Sequence, residues 1–128
     1  MIIAVPVLKQ NETYYVSPHF GRASYYAFIE VGEGGHKVLE VVENPHIQHE
    51  HGGGRAVVEL MTSKAVEAVI AYGIGYRAFT MLADRRIKVY YIPEKLGSSL
   101  VTLDDAVKMF LSNELEEAVE FRERHRHQ

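Results

Sequence analysis

The chain has 128 residues, 47% of them hydrophobic, which suits one domain with a real core. Its 17 acidic and 14 basic residues leave a net charge of −3 and no electrostatic footprint for nucleic acid. Cysteine is absent, which excludes disulfides, thiolate zinc sites and cysteine-ligated iron–sulfur clusters. Any bound metal must therefore use histidine, carboxylate or backbone donors, or bring its own sulfide. The first eight residues have no basic region and no small-residue cleavage site, and no apolar run approaches the roughly 20 residues that span a bilayer. A soluble, cytoplasmic chain that binds neither nucleic acid nor membrane is expected.

Residues 2–8 are nearly all apolar and rich in β-branched types, which predicts a strand buried on both faces. Pro6 has no N–H to give, so a strand end or bulge is expected there. Residues 9–13 read as a polar connection. Ser17-Pro-His-Phe-Gly-Arg-Ala23 then interrupts the pattern, with Pro18 holding Ser17 extended and Gly21 offering a tight turn. Residues 25–31 and 37–42 predict two strands joined by the turn Gly32-Glu-Gly-Gly35. The first third is thus a three-stranded antiparallel meander.

After the histidine- and glycine-rich stretch 44–55 the period changes. Val57, Leu60 and Met61 mark one face of a helix over about residues 55–63. A strand over 67–72, the turn Gly73-Ile-Gly75, a helix over 76–84 and a strand over 87–92 make a right-handed βαβ crossover. Thr102 followed by Asp105 marks the start of a third helix, and residues 114–128 continue it or fray as a charged tail. The predicted fold is a single α/β domain over 1–128, with a five-stranded mixed sheet flanked by helices in the ribonuclease-H-like arrangement.

Three of the seven histidines, His46, His49 and His51, fall in six positions and run into Gly52, Gly53 and Gly54. Imidazole is a common ligand for transition metals, and Glu50 lies beside them as a further ligand or base. The plain alternative is a solvated polar loop before a helix. The same glycines with Arg55 form either an anion cradle at a helix start or a flexible entry to it. His19, Gly21 and Arg22 offer an imidazole and a planar guanidinium fork. Alternatively Phe20 packs in the core, Gly21 turns and Arg22 pairs with a surface carboxylate.

Gly73 and Gly75 stand where α/β sheets bind ligands, but without a third glycine in phase or a Walker lysine they read first as a packing turn. Tyr76 and Arg77 follow and can line a shared cleft. His125 and His127 sit in the charged terminus and read as a frayed end. The first strand carries no acid, so a two-metal nuclease of the ribonuclease-H type is not expected.

Ser-Pro-His19-Phe-Gly-Arg-Ala23, His51-Gly-Gly-Gly54 with Leu60 after it, and Val69-Ile-Ala-Tyr-Gly-Ile-Gly75 followed by Ile87-Lys-Val-Tyr90 resemble the dinitrogenase iron-molybdenum cofactor biosynthesis family. The resemblance runs over about residues 1–111. It implies a ribonuclease-H-like domain that binds and carries iron–sulfur or iron–molybdenum clusters, without catalysing a reaction. It also implies that His19 holds the cluster, with the His51–glycine segment beside it. Cluster donor and acceptor proteins are the implied partners. A single divalent metal as cargo, and a mononuclear zinc hydrolase using His46, His49 and His51 with Glu50 as base, are the competing expectations.

Overall fold

A computed structural model describes residues 1–44, 53–93 and 99–122. The chain order is β1 (Ile2–Gln10), β2 (Thr13–Val16), β3 (Tyr25–Gly32), β4 (Gly35–Glu43), α1 (Gly53–Ser63), β5 (Ala68–Ala71), α2 (Tyr76–Asp84), β6 (Lys88–Tyr91), α3 (Leu103–Leu111) and β7 (Glu116–Glu117). All seven strands share one sheet, in the order β4-β3-β1-β5-β6-β7, with β2 also on β1.

β1 is the hub, and its composition explains why. It pairs antiparallel with β3 on one edge, while β5 (parallel) and β2 (antiparallel) share the other. Both faces are covered. Ile3, Val5 and Val7 join the core under α3 with Leu103, Ala106 and Val107, and Ala4 joins the opposite core with Val57, Val58 and Met61 of α1 and Ala78 and Leu82 of α2. A strand covered on both sides needs a near-continuous apolar run, which residues 2–7 supply. Thr102 caps α3 by accepting the Asp105 N–H at 3.1 Å, as the Thr–Asp spacing predicts.

The sheet corrects four expectations. It has seven strands among the described residues, not five. The polar stretch 9–13 is not a plain connection, because Gln10 pairs with Thr13 around a two-residue turn. Asn11 (φ 51°) and Glu12 (φ 69°) both take the left-handed backbone that a type I′ hairpin requires. The usual Asn-Gly signature is missing, so the turn is silent in the sequence. β7 is the second addition, an antiparallel pair of residues opposite Tyr90 and Tyr91.

Pro6 neither ends nor bulges its strand. Its carbonyl accepts the Ser17 N–H at 2.8 Å, on the edge away from β3. A strand residue's N–H and C=O share an edge. The missing donor therefore faces the seam between β5, which pairs Ile3 and Ala4, and β2, which begins pairing at Val7. The bulge falls elsewhere, where Phe28 and Ile29 of β3 face Glu40 and Val38 and leave Leu39 over. That kink and exposed Lys37 and Glu40 blunt an edge strand. Finally, residues 114–122 are not a continuation of α3.

Glu12 is strained by its positive φ, and its ion pair to Lys9, 3.7 Å long and exposed, contributes little. Glu12→Gly should raise stability by roughly 0.5–1 kcal/mol by relieving the left-handed backbone. The urea unfolding midpoint measures this, and an unchanged or lower midpoint counts against the turn geometry.

Candidate functional site

β1, β5 and β6 run parallel, and β3 and β4 run against and then with them. Residues 17–24, Asn44 after β4, the Gly73-Ile-Gly75 turn and Ile92 after β6 therefore all lie at one end of the sheet. This is the carboxyl end of the parallel strands, where open α/β sheets form crevices.

The loop carrying His19 is built from buried anchors. Ser17 is buried; its N–H goes to Pro6 and its hydroxyl oxygen accepts the His19 N–H at 3.1 Å, a local turn that fixes where His19 leaves the sheet. Phe20 is buried and meets Tyr26 edge-on, with ring centroids 6.4 Å apart. The Tyr26 hydroxyl donates to the Phe20 carbonyl at 2.5 Å. Burial pushes the Tyr26 phenol far above its ordinary range, so it stays a neutral donor. His19 and Arg22 are exposed on either side of this anchor. Phe20 thus packs and Gly21 turns, but Arg22 has no carboxylate partner among the described residues.

Asn44, the residue before the histidine-rich stretch, is 2% exposed. Its amide nitrogen donates to the carbonyls of Ala23 (2.9 Å) and Gly21 (3.4 Å) and lies 3.4 Å from the Tyr26 hydroxyl, while its backbone N–H reaches Ser24 O at 2.9 Å. The entry to the histidine stretch is therefore stapled to the loop that carries His19. His46, His49, His51, Glu50 and Gly52 lie outside the described residues, as do His125 and His127.

On the far side of that stretch, Gly53 and Gly54 already belong to α1, two residues earlier than the helical period predicts. A β-carbon on Gly54 would stand 3.6 Å from that of Ala78, an ordinary contact, so packing alone does not demand glycine there. Arg55 is exposed and pairs with Glu59 at 3.4 Å. Gly75 precedes α2 with φ −68° and ψ 168°, a backbone any residue can take, and no side chain caps the helix. Arg77 is exposed in the first turn of α2.

Sequence reasoning missed Arg122. Its guanidinium donates to Tyr72 O (3.2 and 3.0 Å) and Ile92 O (3.1 Å), the carbonyls just past β5 and β6, and lies 4.2 Å from the Tyr91 ring centre. Its backbone N–H reaches Ile74 O at 3.0 Å. Burial raises the Tyr91 phenol, with Arg122 partly opposing. Asn44 and Tyr26 were also missed. Among the described residues no group of three or more His, Asp or Glu side chains is placed to hold a metal ion. Nor is any helix among them long and apolar enough to cross a membrane.

The fold is a mixed α/β domain with the His19–Arg22 loop and the Gly73-Ile-Gly75 turn at the carboxyl end of its parallel strands. The family model described as dinitrogenase iron-molybdenum cofactor matches residues 1–113, and the chain belongs to that family. An uncharacterized protein of Methanocaldococcus jannaschii is 30% identical over 116 residues, covering 91% of this chain and 90% of that protein. A NifB-like protein from Thermotoga, placed in the DUF35 family, has a solved structure similar with TM-score 0.74 at 32% identity, covering 97% of this chain and 98% of that one. The apo form of the orange protein from Desulfovibrio gigas shares the fold with TM-score 0.78 at 23% identity, over 94% and 95% of the two chains. Membership ties this chain to functions related to the iron–molybdenum cofactor.

Tyr26→Phe should cost about 1–3 kcal/mol at neutral pH, because the Phe20 carbonyl loses its donor in a buried place. The folded phenol is harder to ionise than the unfolded one, so its contribution is complete below the ordinary value of 10.0 and is lost as pH rises beyond it. The stability gap between wild type and variant, read by urea unfolding, should therefore narrow above pH 10.0. A constant gap would contradict the buried neutral phenol.

Proposed function

We propose that this chain is a cytoplasmic, non-catalytic carrier of an iron–sulfur or iron–molybdenum cluster, receiving it from one protein and delivering it to another. The observation that carries the reading is the Asn44 staple: the histidine-rich stretch begins against the Gly21 and Ala23 carbonyls of the His19 loop. His19 is the primary donor, with His46, His49 and His51 as auxiliary donors. Gly21, Arg22, Gly52, Gly53, Gly54 and Arg55 form the rim for an anionic cargo, and Gly73 and Gly75 the opposite wall. Strand order supports a ribonuclease-H-like fold, in which an antiparallel β4-β3-β1 triple continues into parallel β5 and β6.

The chemistry suits release. A cluster that brings its own sulfides needs one or two protein donors and some positive charge. Without thiolates, imidazole holds such a cargo weakly and gives it up. Exposed His19 and Arg22 on an anchored loop provide a donor and a counter-charge without needing the loop to reorganise. The zinc hydrolase reading finds no support in the family or its relatives.

Anaerobic reconstitution with iron and sulfide, or addition of the isolated cofactor, should give the wild-type chain visible absorption. His19→Ala should lower the affinity by about tenfold or more, as loss of a direct ligand requires. Replacing His46, His49 and His51 together should weaken binding less than His19→Ala. A wild-type chain that gains no absorption sinks the carrier reading.

A further inference from the structure

The strap formed by residues 116–122 lies beyond the family-matched residues 1–113, yet it grips one wall of the site residue by residue. The Arg122 guanidinium holds Tyr72 O, the Arg122 N–H holds Ile74 O, and the Phe121 ring meets the Tyr76 ring edge-on at 5.5 Å. The gripped positions are 72, 74 and 76. The two glycines, Gly73 and Gly75, lie between them.

The strap is itself fastened at several points. β7 pairs with β6 through Tyr90 and Tyr91, Ala118 N–H reaches Val89 O at 2.8 Å, and the Tyr91 hydroxyl donates to Glu120 O at 3.0 Å. Arg122 packs against Tyr91 while reaching the carbonyls at the ends of both parallel strands. A planar guanidinium can bridge two carbonyls and stack at once, which an ammonium cannot. The strap's outer side is exposed: Val119 is 91% exposed and Phe121 44%. Such an edge can unseat without opening the core.

We propose that this strap is a latch for the glycine turn, with Arg122 as a positioning residue, and that cargo binding at the turn depends on the latch being seated. The seated strap sets the backbone of residues 72–76 and so the geometry that Gly73 and Gly75 present. An unseated strap removes the Arg122 bonds to the Tyr72 and Ile74 carbonyls and lets the turn relax. The cargo half of this inference rests on the carrier reading above; the latch half does not.

The test uses the full chain and two readouts. Amide hydrogen exchange without cargo, comparing wild type with Arg122→Ala, should show faster exchange confined to residues 72–76 and the strap, with β1 and β3 unchanged. Reconstitution with iron and sulfide should then show about tenfold weaker uptake in Arg122→Ala, the scale expected when a supporting partner of a ligand site is lost. Arg122→Lys should restore neither readout fully. Phe121→Ala, at a half-exposed ring, provides a milder variant should Arg122→Ala fail to fold, and should move both readouts in the same direction. Unchanged exchange at residues 72–76 overturns the latch. Faster exchange with undiminished uptake overturns its coupling to cargo. A wild type that takes up no cluster overturns the carrier reading and that coupling together, while the exchange result still decides the latch.

Discussion

A buried amide needs acceptors, and the candidate site is organised by where Asn44 finds them. Its side chain sits out of water, so an unpaired donor there would cost as much as a lost hydrogen bond. The acceptors are carbonyls of the loop that displays His19 and Arg22, and the neutral Tyr26 hydroxyl completes the set. One constraint thus holds the loop's backbone, aims it away from the core and fixes where the histidine-rich stretch begins. Phe20 supplies the apolar counterpart by packing against Tyr26 from the same loop. Anchored in this way, a loop can be exposed at its charged residues and rigid at its base.

The second organising constraint is the central strand. Because β1 is paired on both edges and covered on both faces, the direction of every neighbour is set relative to it. The carboxyl ends of β5 and β6 lie at the same end of the sheet as the His19 loop. At this end Arg122 donates to the carbonyls just past two parallel strands, those of Tyr72 and Ile92. His19, Arg22 and the Gly73-Ile-Gly75 turn lie at this same end of the sheet, and no thiolate is among them.

Much of the scaffold is legible in local pattern. The apolar run of β1, the period-3.6 faces of α1 and α2, the βαβ crossover and the Thr102 cap each follow from neighbours a few residues apart. The motif Ser-Pro-His-Phe-Gly-Arg-Ala is visible too, including the packing of Phe20. Failures have specific causes. Pro6 misleads because the sequence does not show that its blank edge would meet a seam between two strands. Asn11 and Glu12 mislead because a hairpin turn can be made with non-glycine residues at a cost in strain.

What the sequence alone determined is five of the seven strands and the three helices among the described residues, their order and the residue types available for chemistry, because these depend on short-range periodicity and capping. What only the tertiary structure decided is which polar groups meet. Asn44 finds Ala23 across 21 positions, and Arg122 finds Tyr72 across 50. Neither polar residue carries a local signature, since a buried donor's partner is set by how the sheet folds its neighbours together. The histidine-rich stretch announces itself in the sequence, but the staple at its base and the strap across the neighbouring turn exist only once the sheet has brought one end of every strand together.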